Sequence, residues 1–204
     1  MTTFLLIRHA TNDTVGRLIA GWTPDVHLNS EGKRQAEKLA ERLALVPINA
    51  IYSSPLERAR ETAEPIAQKL KLEIVIREEL GEIHFAAWTG RTLAELEREA
   101  KWQQFNSFRS GTRIPGGELM LEAQMRIIAE LERLREQHPD EVVAVVSHGD
   151  LIKAAVTYYA GIHLDLFQRI EISPASVSII TISDHGPHIL LVNDTGELPD
   201  LKRE

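Results

Sequence analysis

The feature that most constrains the fold is a run of five small apolar residues, Val142 to Val146. The run has no alternation of apolar and polar positions, which is typical of a strand covered on both faces. Ser147-His148-Gly149-Asp150 follows, and a helical segment then extends to about Tyr159. A buried strand followed by a helix predicts a parallel sheet between two layers of helices.

A similar strand, loop and helix open the chain. Phe4 to Ile7 is a short apolar run that ends in Arg8-His9, so we expect a buried strand with this pair at its carboxyl end. A loop rich in Gly, Thr, Asn, Asp and Pro leads to Asn29-Ser30. Both residues favour helix N-termini, and apolar residues at helical spacing follow them.

The middle of the chain predicts a second unit of this kind. Ala50 to Tyr52 resembles a strand, and Pro55 suits the first position of a helix that carries Arg58 near its N-terminus. Ile74 to Ile76 favours another strand, and the segment from Leu80 to Ile83 favours an irregular loop.

The remaining segments complete the alternation of strands and helices. Residues 93–102 and 118–137 have helical patterns, the second ending at His138-Pro139, and residues 176–182 and 189–192 predict a hairpin at the sheet edge. We therefore predict one domain over residues 1–204, an α/β fold built as a three-layer α/β/α sandwich with a mostly parallel sheet.

The charge and composition of the chain argue against several classes of function. The formal net charge is -7 and Lys and Arg form no long run, which argues against nucleic acid or a membrane as partner. The chain has no cysteine, so disulfides, thiolate nucleophiles and cysteine-bound zinc are excluded. The first residues resemble a strand and not a leader, and no stretch is long enough to span a membrane, so we expect a cytoplasmic protein.

Basic side chains follow three of the predicted strands. Arg8-His9, Arg58 and His148 come directly or shortly after strand ends. Carboxyl ends of parallel strands meet at one edge of a sheet, where helix N-termini also favour anions. Two guanidinium groups and two imidazoles at that edge make a reasonable cage for a phosphate.

One histidine of this cage can also react. A neutral imidazole attacks phosphorus when its other nitrogen is held by a hydrogen-bond acceptor, and His9 lies directly at the strand end. The leaving alkoxide needs a proton, for which we select Glu82 in LGEIHFAAWTG; burial beside the cage would raise its pKa.

Six segments together resemble the histidine phosphatase superfamily, which includes cofactor-dependent phosphoglycerate mutases and many small phosphatases. They are, in chain order, LIRHATN, GWTPDVHLNSEGKRQA, YSSPLERARETA, ELGEIHFAAWTG, IPGGE and VVSHGD. The resemblance covers nearly the whole chain, and motifs in the correct order are far more specific than one Arg-His pair.

The resemblance implies that His9 is phosphorylated transiently, that Arg8, Arg58 and His148 bind the phosphoryl group, and that Glu82 is the proton donor and later the base. We also expect three residues of the same motifs, Asn12, Gly21 and Gly149, to contact the substrate. The expected partner is a small phosphorylated metabolite, with no metal and no other cofactor; a homodimer is left open.

The chain departs from the family pattern at a few positions. Ala10 stands where the family usually has Gly, Thr11-Asn12 replaces the usual acidic or amide residue and hydroxyl residue, and Leu119 follows Glu118 where many members have Ser. The substrate-facing rim is therefore predicted to be unusual, whereas the phosphate cage is intact.

Each selected residue also has a plain structural interpretation. Arg8 could end a strand at the surface, His9 could be a core imidazole, Arg58 could pair with Glu57 or Glu61, and Glu82 could be a solvated carboxylate. Outside the cage, we expect Trp22 and Trp88 to anchor loops and His84 to pack or form hydrogen bonds. We treat the five remaining histidines as surface residues: His27, His138, His163, His185 and His188.

Two rival functions belong to other classes. His9, His84, His148 and Asp150 could bind a divalent metal, although adjacent arginines would repel the cation. The chain could also be a non-catalytic module that binds a phospholigand, although nucleophile, cage and acid are all present.

If the chain is an enzyme of this kind, we favour hydrolysis as its activity, and phosphomutase activity is the alternative hypothesis. Glycolytic mutases of this family have a longer insertion before the PGGE turn, with cations that retain a phosphorylated product. Here that stretch is short, and four cations lie in its later part: Arg98, Lys101, Arg109 and Arg113.

Overall fold

Within residues 1–196, six strands form one sheet in the order β3-β2-β4-β1-β5-β6. The structure is a computed structural model and describes residues 1–196, so the last eight residues of the predicted domain, 197–204, lie outside the described residues. The strands are β1 (Thr2–Arg8), β2 (Ile48–Ser53), β3 (Ile74–Ile76), β4 (Val142–Ser147), β5 (Val177–Ser183) and β6 (Gly186–Asp194). β1 to β4 pair in parallel, and the β5–β6 hairpin is antiparallel at one edge. The mostly parallel sheet and its closing hairpin are confirmed.

Six α-helices accompany the sheet in the described part of the chain. They are α1 (Ser30–Leu43), α2 (Glu57–Leu70), α3 (Leu93–Leu96), α4 (Ala100–Ser107), α5 (Met120–Gln137) and α6 (Gly149–Ala160). Short 3-10 turns occupy Glu78–Leu80, Ala86–Trp88 and Leu164–Arg169. Over residues 1–196, none of the helices has the length and apolar character that crossing a bilayer requires.

The two faces of the sheet bury separate cores. Along β1, Phe4 and Leu6 point into a core shared with α5 and α6, whereas Leu5 and Ile7 point into a core shared with α1 and α2. This alternation follows from the two-residue period of a strand. The predicted three-layer sandwich is confirmed.

The single helix predicted over residues 93–102 is wrong. Two short helices occur instead, α3 and α4, with a turn at residues 97–99. Leu96 and Phe105 are both fully buried. Nine residues at about 100° each would put them on opposite sides of one helix, so the chain must turn to bury both.

Three smaller predictions also need correction. α2 begins at Glu57, with Leu56 as its N-cap, so Pro55 lies before the helix and not at its first position. α5 begins at Met120, two residues later than expected. His138 is half-buried and not on the surface, because its ring contacts the Tyr52 hydroxyl at 2.8 Å and Glu141 at 2.6 Å.

Candidate active site

The register of the central strands brings the predicted site residues to one edge of the sheet. Arg8 at the end of β1 is paired with Ser147 at the end of β4, and Ser53 at the end of β2 is paired with Val146. His9 donates its backbone N–H to the Ser147 carbonyl at 2.9 Å. The residues that follow the three strand ends therefore meet at the carboxyl edge of the parallel strands, as expected.

A cleft of about 240 Å³ opens at this edge. Its lining combines charged side chains with apolar residues, most of which come from the loop after β1. The lining residues are Arg8, His9, Thr14, Val15, Gly16, Leu18, Ile19, Ala20, Gly21, Arg58, Glu82, Phe85, Leu93, Gly149, Asp150 and Lys153. A cleft of this size suits a small molecule.

His9 is only 4% exposed and lines the cleft. Its Nδ1 lies 2.8 Å from the Ala10 carbonyl. A carbonyl can only accept, so Nδ1 carries the proton and Nε2 has a free lone pair. Burial lowers the pKa of His9 well below its ordinary value, and Arg58 and Arg8 lower it further, so the ring is neutral near neutral pH. This is the state that a nitrogen nucleophile needs.

His148 is fully buried and its ring centroid lies 5.2 Å from that of His9. Nη2 of Arg58 lies 3.4 Å from Nδ1 of His148. A guanidinium can only donate, so Nδ1 is the acceptor and Nε2 donates to the Ser54 hydroxyl at 2.8 Å. Burial lowers the pKa of His148 well below its ordinary value, with Arg58 as the next cause.

Arg58 is buried and Arg8 is half-buried beside the cleft, and each has an unused donor. Nη1 of Arg8 donates to the Ile172 carbonyl at 2.5 Å, and Nη2 of Arg58 donates to the Gly21 carbonyl at 2.9 Å. Arg8 Nε and Arg58 Nη1 are buried without a hydrogen-bond partner among residues 1–196. Because buried donors are rarely left unsatisfied, this pair indicates a site for an anion.

Glu82 reaches the cleft from the loop after the first 3-10 turn. Oε1 accepts from the Ile83 backbone N–H at 2.9 Å, and Oε2 lies 3.6 Å from Nδ1 of His148. Burial raises the pKa of Glu82 to about 6, although Arg58 acts in the opposite direction. A carboxyl group with such a pKa can both give and take a proton near neutral pH.

The loop after β1 holds two predicted contact residues in different ways. Gly21 lines the cleft with φ +51°, and a Cβ there would lie 2.8 Å from the Thr89 hydroxyl, so both backbone and space favour glycine. Asn12 is buried outside the lining set, and its Oδ1 accepts from the Thr14 backbone at 2.9 Å and hydroxyl at 2.6 Å. Asn12 thus orders Thr14, which does line the cleft.

Sequence reasoning missed several residues of the cleft. Apolar lining is contributed by Val15, Leu18, Ile19 and Leu93, and Lys153 lies one turn along α6 from Asp150. The loop residues carry no chemical signature, so no sequence signal could have found them. The i, i+3 spacing of Asp150 and Lys153 after the closing histidine was a usable signal.

The plain structural interpretation of Arg58, an ion pair with Glu57 or Glu61, does not fit this geometry. Arg58 is 1% exposed and its nearest polar contacts are Gly21 and His148. His84, one ligand of the rival metal centre, stacks on Trp22 with ring centroids 4.6 Å apart, as its packing role predicted. No three His, Asp or Glu side chains within residues 1–196 are arranged to share a metal ion.

Trp22 and Trp88 both anchor loops, as predicted. Trp88 is 1% exposed and packs edge-on against Trp102 and Phe105. Nε1 of Trp22 donates to the Glu82 carbonyl at 2.6 Å, which ties the loop after β1 to the loop that carries the acid.

Comparisons with known proteins identify the family of the chain. A family model described as the histidine phosphatase superfamily (branch 1) matches residues 4–195. The chain is 32% identical over 206 residues to phosphoserine phosphatase 1 of Hydrogenobacter thermophilus, which covers 97% of this chain and 95% of that protein. It is 30% identical to a probable phosphoglycerate mutase, GpmB, of Photorhabdus laumondii, over 96% of this chain and 93% of the relative.

A solved structure of a phosphoserine phosphatase has a similar fold over nearly the whole chain. A mutant phosphoserine phosphatase from Entamoeba histolytica in complex with phosphoserine is 26% identical, with a TM-score of 0.86 over 96% of this chain and 98% of that chain. The family model, the phosphoserine phosphatase relative and the solved structure each match nearly the whole chain. The chain therefore belongs to the histidine phosphatase superfamily and is an enzyme of the phosphatase class.

Proposed function

We propose that the protein hydrolyses a small phosphomonoester of the cytoplasm in two steps, through a phosphohistidine on His9, with Glu82 as proton donor. The observation that carries the proposal is the pair of buried, unpartnered donors, Arg8 Nε and Arg58 Nη1, beside the free Nε2 of His9. Two guanidinium groups that line the same cleft as His9 and lower its pKa suit the three oxygens of a phosphoryl group.

In the first step, Nε2 of His9 attacks phosphorus and an N–P bond forms while the bond from phosphorus to the ester oxygen breaks. Glu82 gives its proton to that oxygen, so the alcohol leaves uncharged. Arg8 and Arg58 stabilise the charge that spreads over the phosphoryl oxygens in the transition state.

In the second step, water attacks the phosphorus of the phosphohistidine. The carboxylate of Glu82 takes a proton from that water, the N–P bond breaks, and its electron pair returns to His9. Inorganic phosphate leaves, and both residues regain their starting protonation states. The net reaction converts one ester and one water into an alcohol and phosphate, and needs no metal.

The cleft favours hydrolysis over phosphomutase activity. A mutase must retain a product with a second anionic group, which requires further cations in the site. The four cations before the PGGE turn are used elsewhere or lie outside the lining set: for example, Lys101 donates to Gln104 at 3.1 Å, and Arg113 donates to the Gly117 carbonyl at 3.1 Å. Within the described residues, Arg8, Arg58 and Lys153 are the lining cations.

The test is covalent labelling followed by product analysis. Protein is mixed with a phosphate-labelled aryl phosphate without added metal, then quenched in base or in acid. We expect a label that survives base and is lost in acid, as a phosphohistidine requires. His9→Ala should abolish both label and turnover, whereas His163→Ala, at an exposed histidine, should retain them.

The same reactions are scored for free phosphate and for isomerised product, with phosphoserine and 3-phosphoglycerate included. Release of phosphate alone supports the hydrolase. An unlabelled protein, or turnover that survives His9→Ala, would overturn the proposal, and an isomerised product would favour the mutase.

A further inference from the structure

Asp150 is a negatively charged residue beside the proposed phosphate site. It lies in the first turn of α6, directly after Gly149, and its side chain is 29% exposed and lines the cleft. A carboxylate repels a phosphoryl group, so this position has an electrostatic cost for the reaction. The macrodipole of α6 stabilises an acidic residue at this position, but it does not account for the buried cation next to Asp150.

That cation is Arg109, which is buried between two aromatic rings. Its guanidinium carbon lies 4.4 Å from the ring centroids of both Phe105 and Phe167. Nη2 donates to Asn106 at 2.5 Å, and Nη1 lies 3.5 Å from Oδ2 of Asp150. This packing fixes the plane of the guanidinium and leaves the Asp150 carboxylate as its counter-charge.

The pairing leaves part of Asp150 available to a ligand. Arg109 does not line the cleft, whereas Asp150 does and is 29% exposed, so Asp150 lies between the cleft and the buried guanidinium of Arg109. Lys153, on the same side of the cleft, is already near other groups: its Nζ lies 3.3 Å from Gln168 and 4.0 Å from Glu171. The open acceptor on this side is therefore Asp150.

We infer that Asp150 determines specificity for the leaving group, by accepting a hydrogen bond from an ammonium or hydroxyl on the alcohol, and that Arg109 is its positioning residue. The inference rests on the proposed function, because it assumes that the phosphoryl group occupies the Arg8 and Arg58 side of the cleft. The substrate class is then a phosphomonoester whose alcohol carries a hydrogen-bond donor close to the ester oxygen.

The test measures binding without turnover. In the His9→Ala protein, calorimetry compares three phosphates of nearly equal size: 2-aminoethyl, 2-hydroxyethyl and n-propyl phosphate. We expect the first two to bind at least about tenfold more tightly than the propyl ester, since a hydrogen bond to a charged acceptor is worth about that factor. The stronger of the two identifies the donor as ammonium or hydroxyl.

Variants then assign the preference to residues. Asp150→Ala should remove it for both ligands. Asp150→Asn loses the charge but keeps an acceptor oxygen, so it should reduce the preference for the ammonium more than that for the hydroxyl. Arg109→Met should reduce the preference several-fold, and Arg109→Lys, which keeps the charge, should restore part of it.

Arg77→Met is the matched control for Arg109. Arg77 also lies over an aromatic ring, 5.2 Å from the Tyr52 centroid, and pairs with Glu130, but it does not line the cleft. It should leave the preference unchanged. If Arg109→Met fails to fold, Arg109→Lys carries the test of positioning.

Equal affinities for the three phosphates, or an unchanged ratio in Asp150→Ala, would overturn the inference and leave the phosphohistidine proposal standing. A selective cleft in a protein that forms no phosphohistidine would overturn the proposed function alone. A ratio that changes equally in Arg109→Lys and Arg77→Met would reject Arg109 as the positioning residue.

Discussion

Oε2 of Glu82 lies 3.6 Å from Nδ1 of His148, beside a cleft where burial keeps the imidazole uncharged. Burial lowers the pKa of His148 and raises that of Glu82 to about 6. The contact is therefore not a conventional ion pair. It joins a neutral imidazole to a carboxyl group that can still carry a proton when the substrate arrives.

Removing the proposed proton donor, Glu82, should affect poor leaving groups most. Glu82→Gln keeps the size of the side chain but cannot give a proton, so kcat for an alkyl phosphate should fall by about 10²- to 10⁴-fold. An aryl phosphate, whose leaving group is stable as an anion, should lose much less. Steady-state kinetics on both esters provide the measurement, and equal losses would reject Glu82 as the acid.

The pH dependence of kcat/KM should report the ionisation of Glu82. Because the donor must hold its proton and its pKa is raised to about 6, kcat/KM for an alkyl phosphate should be high below that pH and fall above it. Burial and Arg58 lower the pKa of His9, so the nucleophile stays neutral over this range. In Glu82→Gln the fall above pH 6 should disappear; if it persists, it belongs to another group or to the substrate.

Gly149 controls how closely α6 approaches Arg8. A Cβ at position 149 would lie 3.1 Å from Nε of Arg8 and 3.2 Å from its Cζ, so the guanidinium would have to shift. Gly149→Ala should weaken binding of inorganic phosphate by about tenfold, which corresponds to about 1.4 kcal/mol. Calorimetric titration measures this, with thermal unfolding as a control for the fold; an unchanged Kd would show that Arg8 adapts without loss.

Metal removal should have no effect on turnover. The proposed chemistry uses guanidinium groups where other phosphatases use metal ions. Arg8 and Arg58 would also repel a metal ion from the same position. Dialysis against a strong chelator should leave kcat within twofold of the untreated value. A loss that Mg²⁺ or Zn²⁺ restores would revive a metal-assisted mechanism.

Sequence reasoning found the central strands and the residues that follow them, because both depend on local patterns. A run such as Val142 to Val146 is buried whatever surrounds it, and parallel strands bring Arg8, Arg58 and His148 to one edge. Ordered motifs added Glu82, whose burial no local pattern reveals.

Features set by tertiary packing were beyond sequence reasoning. The turn between α3 and α4 exists because Leu96 and Phe105 must both be buried, which a periodic pattern does not encode. Arg109 was considered only as a cation for a mutase; its place between Phe105 and Phe167 depends on a segment far along the chain. The contact of His138 with Tyr52 has the same origin.

The last prediction concerns how His148 is held. Its Nε2 donates to the Ser54 hydroxyl at 2.8 Å, which leaves Nδ1 free to face Arg58 and Glu82. Ser54→Ala removes this acceptor and leaves a buried N–H unpaired, at a cost of about 1–3 kcal/mol. The imidazole is then free to change tautomer or rotate, so kcat should fall by about tenfold or more.

Ser53→Ala is a matched control for this change. Ser53 is equally buried and adjacent, but its hydroxyl donates to the Ser54 carbonyl at 3.0 Å and makes no hydrogen bond with His148 in the described part of the chain. It should cost stability with little change in kcat. Equal effects of the two substitutions on kcat, measured with the same aryl phosphate, would mean that Ser54 supports the strand end and not the tautomer of His148.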